Sequence, residues 1–236
     1  RSVDPISLPS GQYTVFLEPA AVGQLLLFLS FMGFGSGTFV QRRSFMAGKI
    51  GELITGENVT VRDDAYHPQM LGMPFDYEGV PRKSVELITN GIAKGVVSNS
   101  RDAGQMGTES TGHAHIATKS FTPYPKHMVM DGGDATVEEM IKAVDRGIYI
   151  THFWYVNYLN PMMTMVTGTT RDGTFLIEQG KVTKPIVNMR MQQSILEAFS
   201  NCRMLSKERV LYPQYSVVML LPYALIDNFQ LNEEVA

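Results

Sequence analysis

The chain has 236 residues, 44% hydrophobic and 18% charged, enough to bury a substantial core as one large domain or two small ones. Its 23 acidic and 20 basic residues give a net charge of -3 with no run of like charges, which excludes an electrostatic footprint for nucleic acid. A single cysteine, Cys202, excludes an internal disulfide and fits a reducing, cytoplasmic address.

Residues 1–11 hold two prolines and no apolar run, so no signal peptide is expected, and an opening on Arg1 suggests that something upstream has been removed. Residues 13–17 have the β-branched and aromatic content of a strand, and Glu18-Pro19 then opens a helix. The apolar run 21–34 is shorter than the roughly 20 residues a membrane span needs and carries Gln24 and Ser30, so it reads as a buried helix. Residues 33–37 are glycine-rich and predict a loop, 44–52 a short amphipathic helix, and 59–62 a strand ending at Asp63-Asp64. Residues 85–89 and 92–97 flank Asn90-Gly91, the signature of a type I′ hairpin. Residues 101–126, rich in Gly, Ser, Thr and Pro, predict a long loop. A helix follows over 137–144, with Thr136 as cap, Glu139 at capping-box spacing and Gly147 as terminator.

The remainder reads as strands. Residues 148–158, 164–170, 174–178 and 181–186 are separated by Asn160-Pro161, Arg171-Asp172-Gly173 and Gln179-Gly180, which predicts an antiparallel meander. A helix over 192–199 and a strand over 216–221 complete an α+β pattern.

The residues themselves point to no single chemistry. His113 and His115, at i and i+2, would share one face of a strand and could hold a metal there; in a Gly/Ser/Thr loop such histidines are more often solvated. Cys202 would need a base that sequence cannot place. Asp63-Asp64, Asp76 with Glu78, and Glu138-Glu139 offer acid–base groups, or else a strand end, a turn and a solvated helix face. There is no phosphate-binding glycine motif, and Met162, Met163 and Met165 read as core filling.

Eight blocks in order carry a resemblance. SFMAGKIGE (44–52), VRDD (61–64), FDYEGVP (75–81), ITNGIAKG (88–95), STGHA (110–114), GIYIT (147–151), TGTTRDGTFLIEQGKVTKPI (167–186) and SVVMLLPYALIDNF (216–229) resemble the TldD/PmbA family, also called modulators of DNA gyrase. The match covers nearly the whole chain. It implies a carboxy-terminal domain over 1–236, without the family's amino-terminal half, built on a large curved, mostly antiparallel sheet with a few flanking helices.

Zinc-bearing members of that family are metallopeptidases acting on unfolded or flexible peptides as dimers of like or paired subunits. Their site resembles an HExxxH helix, with two histidines on one metal and a glutamate polarising water, completed by a later cysteine. Here the corresponding positions hold Pro19, Ala20 and Gln24, and Cys202 comes earlier than the ligand cysteine is expected. The resemblance therefore implies a lost zinc site, no cofactor, and the PmbA/TldE-like branch. The expected role is a non-catalytic partner, as a homodimer or as a heterodimer with a TldD-like zinc-bearing subunit. It would bind unfolded peptides by strand addition and contact neither nucleic acid nor membrane. Two alternatives stay open: a metallopeptidase with displaced ligands drawn from His113, His115 and Cys202, or a stand-alone peptide-binding or regulatory protein.

Overall fold

The structure, a computed structural model, describes residues 3–116 and 122–233; residues 117–121 of the expected long loop lie outside the described residues. In chain order the elements are β1 (Gly11–Leu17), α1 (Pro19–Gly33), α2 (Ser36–Val40), β2 (Val61–Asp63), β3 (Val85–Thr89), β4 (Ile92–Ala93), α3 (Ser100–Met106) and β5 (His127–Met130). Then come α4 (Val137–Lys142), β6 (Arg146–Asn160), β7 (Met165–Glu178), β8 (Lys181–Pro185), β9 (Met189–Ser194), α5 (Ile195–Ser200), β10 (Cys202–Gln214) and β11 (Val217–Glu233). This is the expected α+β fold, strand-rich and mostly antiparallel with few helices. Among the described strands, β1 with β6 and β5 with β11 are the parallel pairs. No helix of the described residues is long and apolar enough to cross a membrane.

Two compact units divide the chain. Unit 1 comprises Arg1–Leu25, Gly132–Val210 and Leu221–Ala236; unit 2 comprises Leu26–Asp131 and Leu211–Leu220.

In unit 1, β1 lies parallel to β6 and antiparallel to β11, with Gly11 opposite Leu231 and Leu17 opposite Ala224. β6 and β7 form a long hairpin, β8 joins β7, and β9 bridges β7 and β11. The core gathers Phe16, Met140, Val144, Ile177 and Leu225, each at most 1% exposed. Helix α4 has the expected capping box, with the Thr136 hydroxyl accepting the Glu139 amide and the Glu139 carboxylate accepting the Thr136 amide. It ends at Lys142, with Ala143 as C-cap, earlier than expected. Gly147 lies in β6, where a Cβ would come within 2.6 Å of the Thr14 carbonyl.

Two expectations in this unit fail for local reasons. Arg171-Asp172-Gly173 does not reverse the chain: Asp172, at φ 66, sits in a bulge where β7 uses one residue more than β6 between the pairs His152–Arg171 and Ile150–Thr174. A positive φ is common to turns and bulges, so the residue types alone do not separate them. Met162 and Met163 are not core; they stand exposed on the 3-10 turn Pro161–Met163 that closes the β6–β7 hairpin, with the Asn160 side chain accepting both their amides.

In unit 2, β2 runs antiparallel to β3 and β5, and β5 parallel to the start of β11. Asn90 and Gly91, at φ 49 and 76, make the β3–β4 turn that the sequence predicts. The glycine-rich stretch 33–37 is not a loop. Helix α2 begins there with Gly35 as N-cap, where a side chain would meet the Pro123 carbonyl at 1.8 Å, so the glycine allows close approach of two backbones. Ser36 Oγ donates to Asp102 of α3 at 2.8 Å. The helix expected over 44–52 is a series of turns, because Gly48 and Gly51 adopt φ 80 and 90 and Ser44 Oγ caps locally, donating to the Gly33 carbonyl and accepting the Met46 amide. α3 occupies the start of the loop expected over 101–126 and β5 follows its end; the helix expected over 192–199 forms only from Ile195, residues 192–194 belonging to β9, and β10 and most of β11 carry no sequence prediction.

Thr136→Ala should lower stability by about 1 kcal/mol through loss of the cap. Phe16→Ala, at a fully buried position, should lower it by about 3–5 kcal/mol. Urea unfolding of the two variants checks both.

Candidate functional site

The first turn of α1 is where a catalytic helix would place its metal ligands. Glu18 takes the N-cap position, its carbonyl accepting the amides of Ala21 and Val22. Pro19 follows at the position where a missing amide costs nothing. Pro19 and Gln24 are buried and Ala20 half-buried. Proline and alanine have no side-chain lone pair, and the amide of Gln24 is a poor zinc ligand. These residues do not fit a zinc ion.

Beside them, a pocket of about 520 Å³ is lined by Glu18, Ile141, Tyr149, Thr151, Phe175, Val182 and Thr183. The Tyr149 hydroxyl donates to Glu18 Oε1. The Tyr149 ring stacks on Phe16 at 5.0 Å and meets the edge of Phe175 at 6.3 Å. The pocket thus presents one carboxylate over a mainly apolar wall.

The histidines do not converge. His113 is 2% exposed and its Nε2 lies 2.8 Å from Asp63 Oδ1. Its Nδ1 lies 2.9 Å from both the carbonyl and the hydroxyl oxygen of Thr111. Asp63 Oδ2 accepts the amides of Lys126 and His127 at 2.6 and 2.7 Å. Burial alone would raise the Asp63 carboxyl; the hydrogen bond and charge of His113, with the His127 amide, bring it below the ordinary carboxylate range. His127 is held down by burial, against the pull of Asp63. His115 engages elsewhere, its Nε2 3.1 Å from the Tyr124 hydroxyl and its ring stacked on Tyr124 at 5.3 Å.

Cys202 belongs to unit 1, buried, with Sγ 3.6 Å from the Met204 carbonyl, whereas His113 and His115 belong to unit 2. Among the described residues no group of three or more His, Cys, Asp or Glu is placed to hold a metal. Asp64 pairs loosely with Arg62 at 3.8 Å, and Glu138 with Lys142 at 2.8 Å on an open helix face. Asp76 is buried, Oδ1 accepting the amides of Glu78 and Val80 and Oδ2 that of Ala114. The turn around Asp76 was readable as Asp-x-x-Gly; its contact with residue 114, like the Asp63–His113 pair, had no local signal.

A family model described as the PmbA/TldA metallopeptidase C-terminal domain matches residues 10–233. A metalloprotease TldD homolog of Haemophilus influenzae is 29% identical over 210 residues, covering 87% of this chain and 43% of that protein. The crystal structure of TldE from Thermococcus kodakarensis superposes with a TM-score of 0.89 at 27% identity, covering 98% of this chain and 52% of that one. A Thermotoga maritima protein described as a modulator of a DNA gyrase shares the fold, with a TM-score of 0.83 at 22% identity over 97% of this chain and 51% of that one. The chain thus spans about half the length of the relatives it matches.

Asp63, held below its ordinary value, contributes stability that is whole above about pH 4 and lost as pH falls through the folded value. His127, also held down, adds a loss that begins below about pH 6.5. Asp63→Asn should cost about 3–5 kcal/mol at neutral pH, by removing the buried charge on which the His113 ring and the Lys126 and His127 amides converge. It should also flatten the lower part of the acid limb, and His127→Gln the upper part. Urea midpoints from pH 3 to 8 test both.

Proposed function

This chain belongs to the PmbA/TldA metallopeptidase C-terminal domain family, and from that premise we propose that it is the zinc-free, non-catalytic partner subunit of a TldD-type metallopeptidase that degrades unfolded peptides. The observation that carries the reading is the start of α1. Where a catalytic member would carry HExxxH, this chain has Pro19, Ala20 and Gln24, two of them buried. A helix so packed acts as core, not as a ligand shelf.

Two surfaces of unit 1 support the partner role. The end of the β6–β7 hairpin exposes Trp154, Tyr155, Tyr158, Leu159, Met162 and Met163, with Tyr155 at 78%. Exposed aromatic and Met side chains grouped on one element mark a protein-binding surface, and we assign them to the subunit contact. β8, which among the described strands pairs with β7 alone, supplies Val182 and Thr183 to the pocket beside Glu18. An extended peptide adding to β8 would lay a side chain into that pocket, main-chain bonds giving affinity and the pocket giving preference. A cytoplasmic setting fits the single cysteine.

The chain purified without chelator from zinc-supplied medium should hold less than about 0.1 equivalent of zinc. It should retain an HExxxH-bearing relative on an affinity column, and a Tyr155→Asp/Met163→Asp variant should release it. One tightly held zinc per chain, or chelator-sensitive peptide cleavage by the chain alone, would overturn the reading.

A further inference from the structure

Unit 2 buries a guanidinium that no side-chain acid of the described residues contacts. Arg82 is 4% exposed, and its Nε and Nη1 are enclosed without a hydrogen-bond partner among the described residues. Its backbone is fixed independently: the Arg82 amide donates to the Pro74 carbonyl at 2.9 Å, and its own carbonyl accepts the Tyr66 hydroxyl at 3.0 Å. The guanidinium is therefore held inside by the chain and not by an acid.

A second cation stands against the same turn. The Phe75–Pro81 bridge and the Arg82–Pro74 hydrogen bond close a turn that carries both Arg82 and Tyr77, and Lys126 Nζ lies 5.3 Å from the Tyr77 ring centre and 5.7 Å from that of Tyr124. Burial and then the Arg82 charge lower the Lys126 amine, in keeping with that placement. His127, with Nδ1 buried and unpartnered, feels both. Asp63 is the carboxylate that acts on this group, and its two oxygens already accept from His113, Lys126 and His127. Its oxygens are therefore taken, and neither reaches Arg82.

A buried guanidinium without a counter-charge is retained only where something pairs with it, and carboxylate and phosphate oxygens are the partners that its planar donors match best. We propose that Arg82 and Lys126 form an oxyanion site in unit 2, closed on one side by Tyr77 and Tyr124, that takes a carboxylate or a phosphate. This site is separate from the α1 start and does not rest on the subunit reading above.

The test is thermal unfolding of the full chain titrated with sodium acetate or sodium phosphate, with chloride making up constant ionic strength. At an anion concentration a hundredfold above its dissociation constant, Tm should rise by about 5–10 °C. Acetate alone raising Tm assigns a carboxylate, and phosphate alone a phosphoryl group. Arg82→Gln should abolish the rise. Should that variant not fold, Lys126→Gln, in which a half-exposed ammonium is removed, should at least halve it. No rise with either anion means that Arg82 is satisfied by water alone and overturns the proposal. So does an equal rise in wild type and variants, which is general salting of the surface.

Discussion

One buried carboxylate organises unit 2. Asp63 closes β2 with its side chain wholly inside, and three donors reach it from chain positions 50 to 64 residues away: the His113 ring and the amides of Lys126 and His127. A bare carboxylate would be intolerable there, so the fold holds only if all three arrive together. Their arrival sets the β2–β5 register, with Asp63 opposite Met128. It also anchors the segment that carries Thr111 and His113, whose hydroxyl and amide in turn tie to Ser98. The neighbouring Arg62 points the other way and pairs with Asp131 at 2.6 Å on a half-exposed face. Strand alternation thus separates a structural acid from a surface ion pair within two residues.

Features encoded by neighbours in sequence could be read from it. The capping box of α4, the Asn90-Gly91 turn, the first strand and the buried character of α1 each depend on residues within one turn of one another. Where the local signal served two structures, reading failed. Glycines at 33–37 mean a loop or a close approach, and Gly35 is the second; Gly48 and Gly51 broke an apparently amphipathic helix with their positive φ angles. Strands β5 and β10 lack clear alternation, since β5 is buried on both faces.

The same division applies to the candidate site. Pro19, Ala20 and Gln24 were visible because absence of a ligand is a property of the residue type. The partners of His113 were not, because an i, i+2 spacing puts two rings together only in an extended strand. Gly112, at φ 72, precedes His113, and the two rings reach Asp63 and Tyr124 respectively. In helix α1 every residue from Ala21 to Leu27 is buried, so its stability comes from packing on all sides.

The partner of β1 along most of its length is β11, more than two hundred residues later, from Gly11–Leu231 to Leu17–Ala224. During synthesis the first strand therefore leaves the ribosome long before the strand that flanks it exists. Its hydrophobic residues Val15, Phe16 and Leu17, all fully buried at the end, stay uncovered on that side while the rest of the polypeptide is made. At translation rates of about 5–20 residues per second, that interval lasts on the order of ten seconds or more. Unit 1 is thus completed only once β11 has emerged, not progressively, and a nascent chain of this kind is a natural client for chaperones that shield early strands.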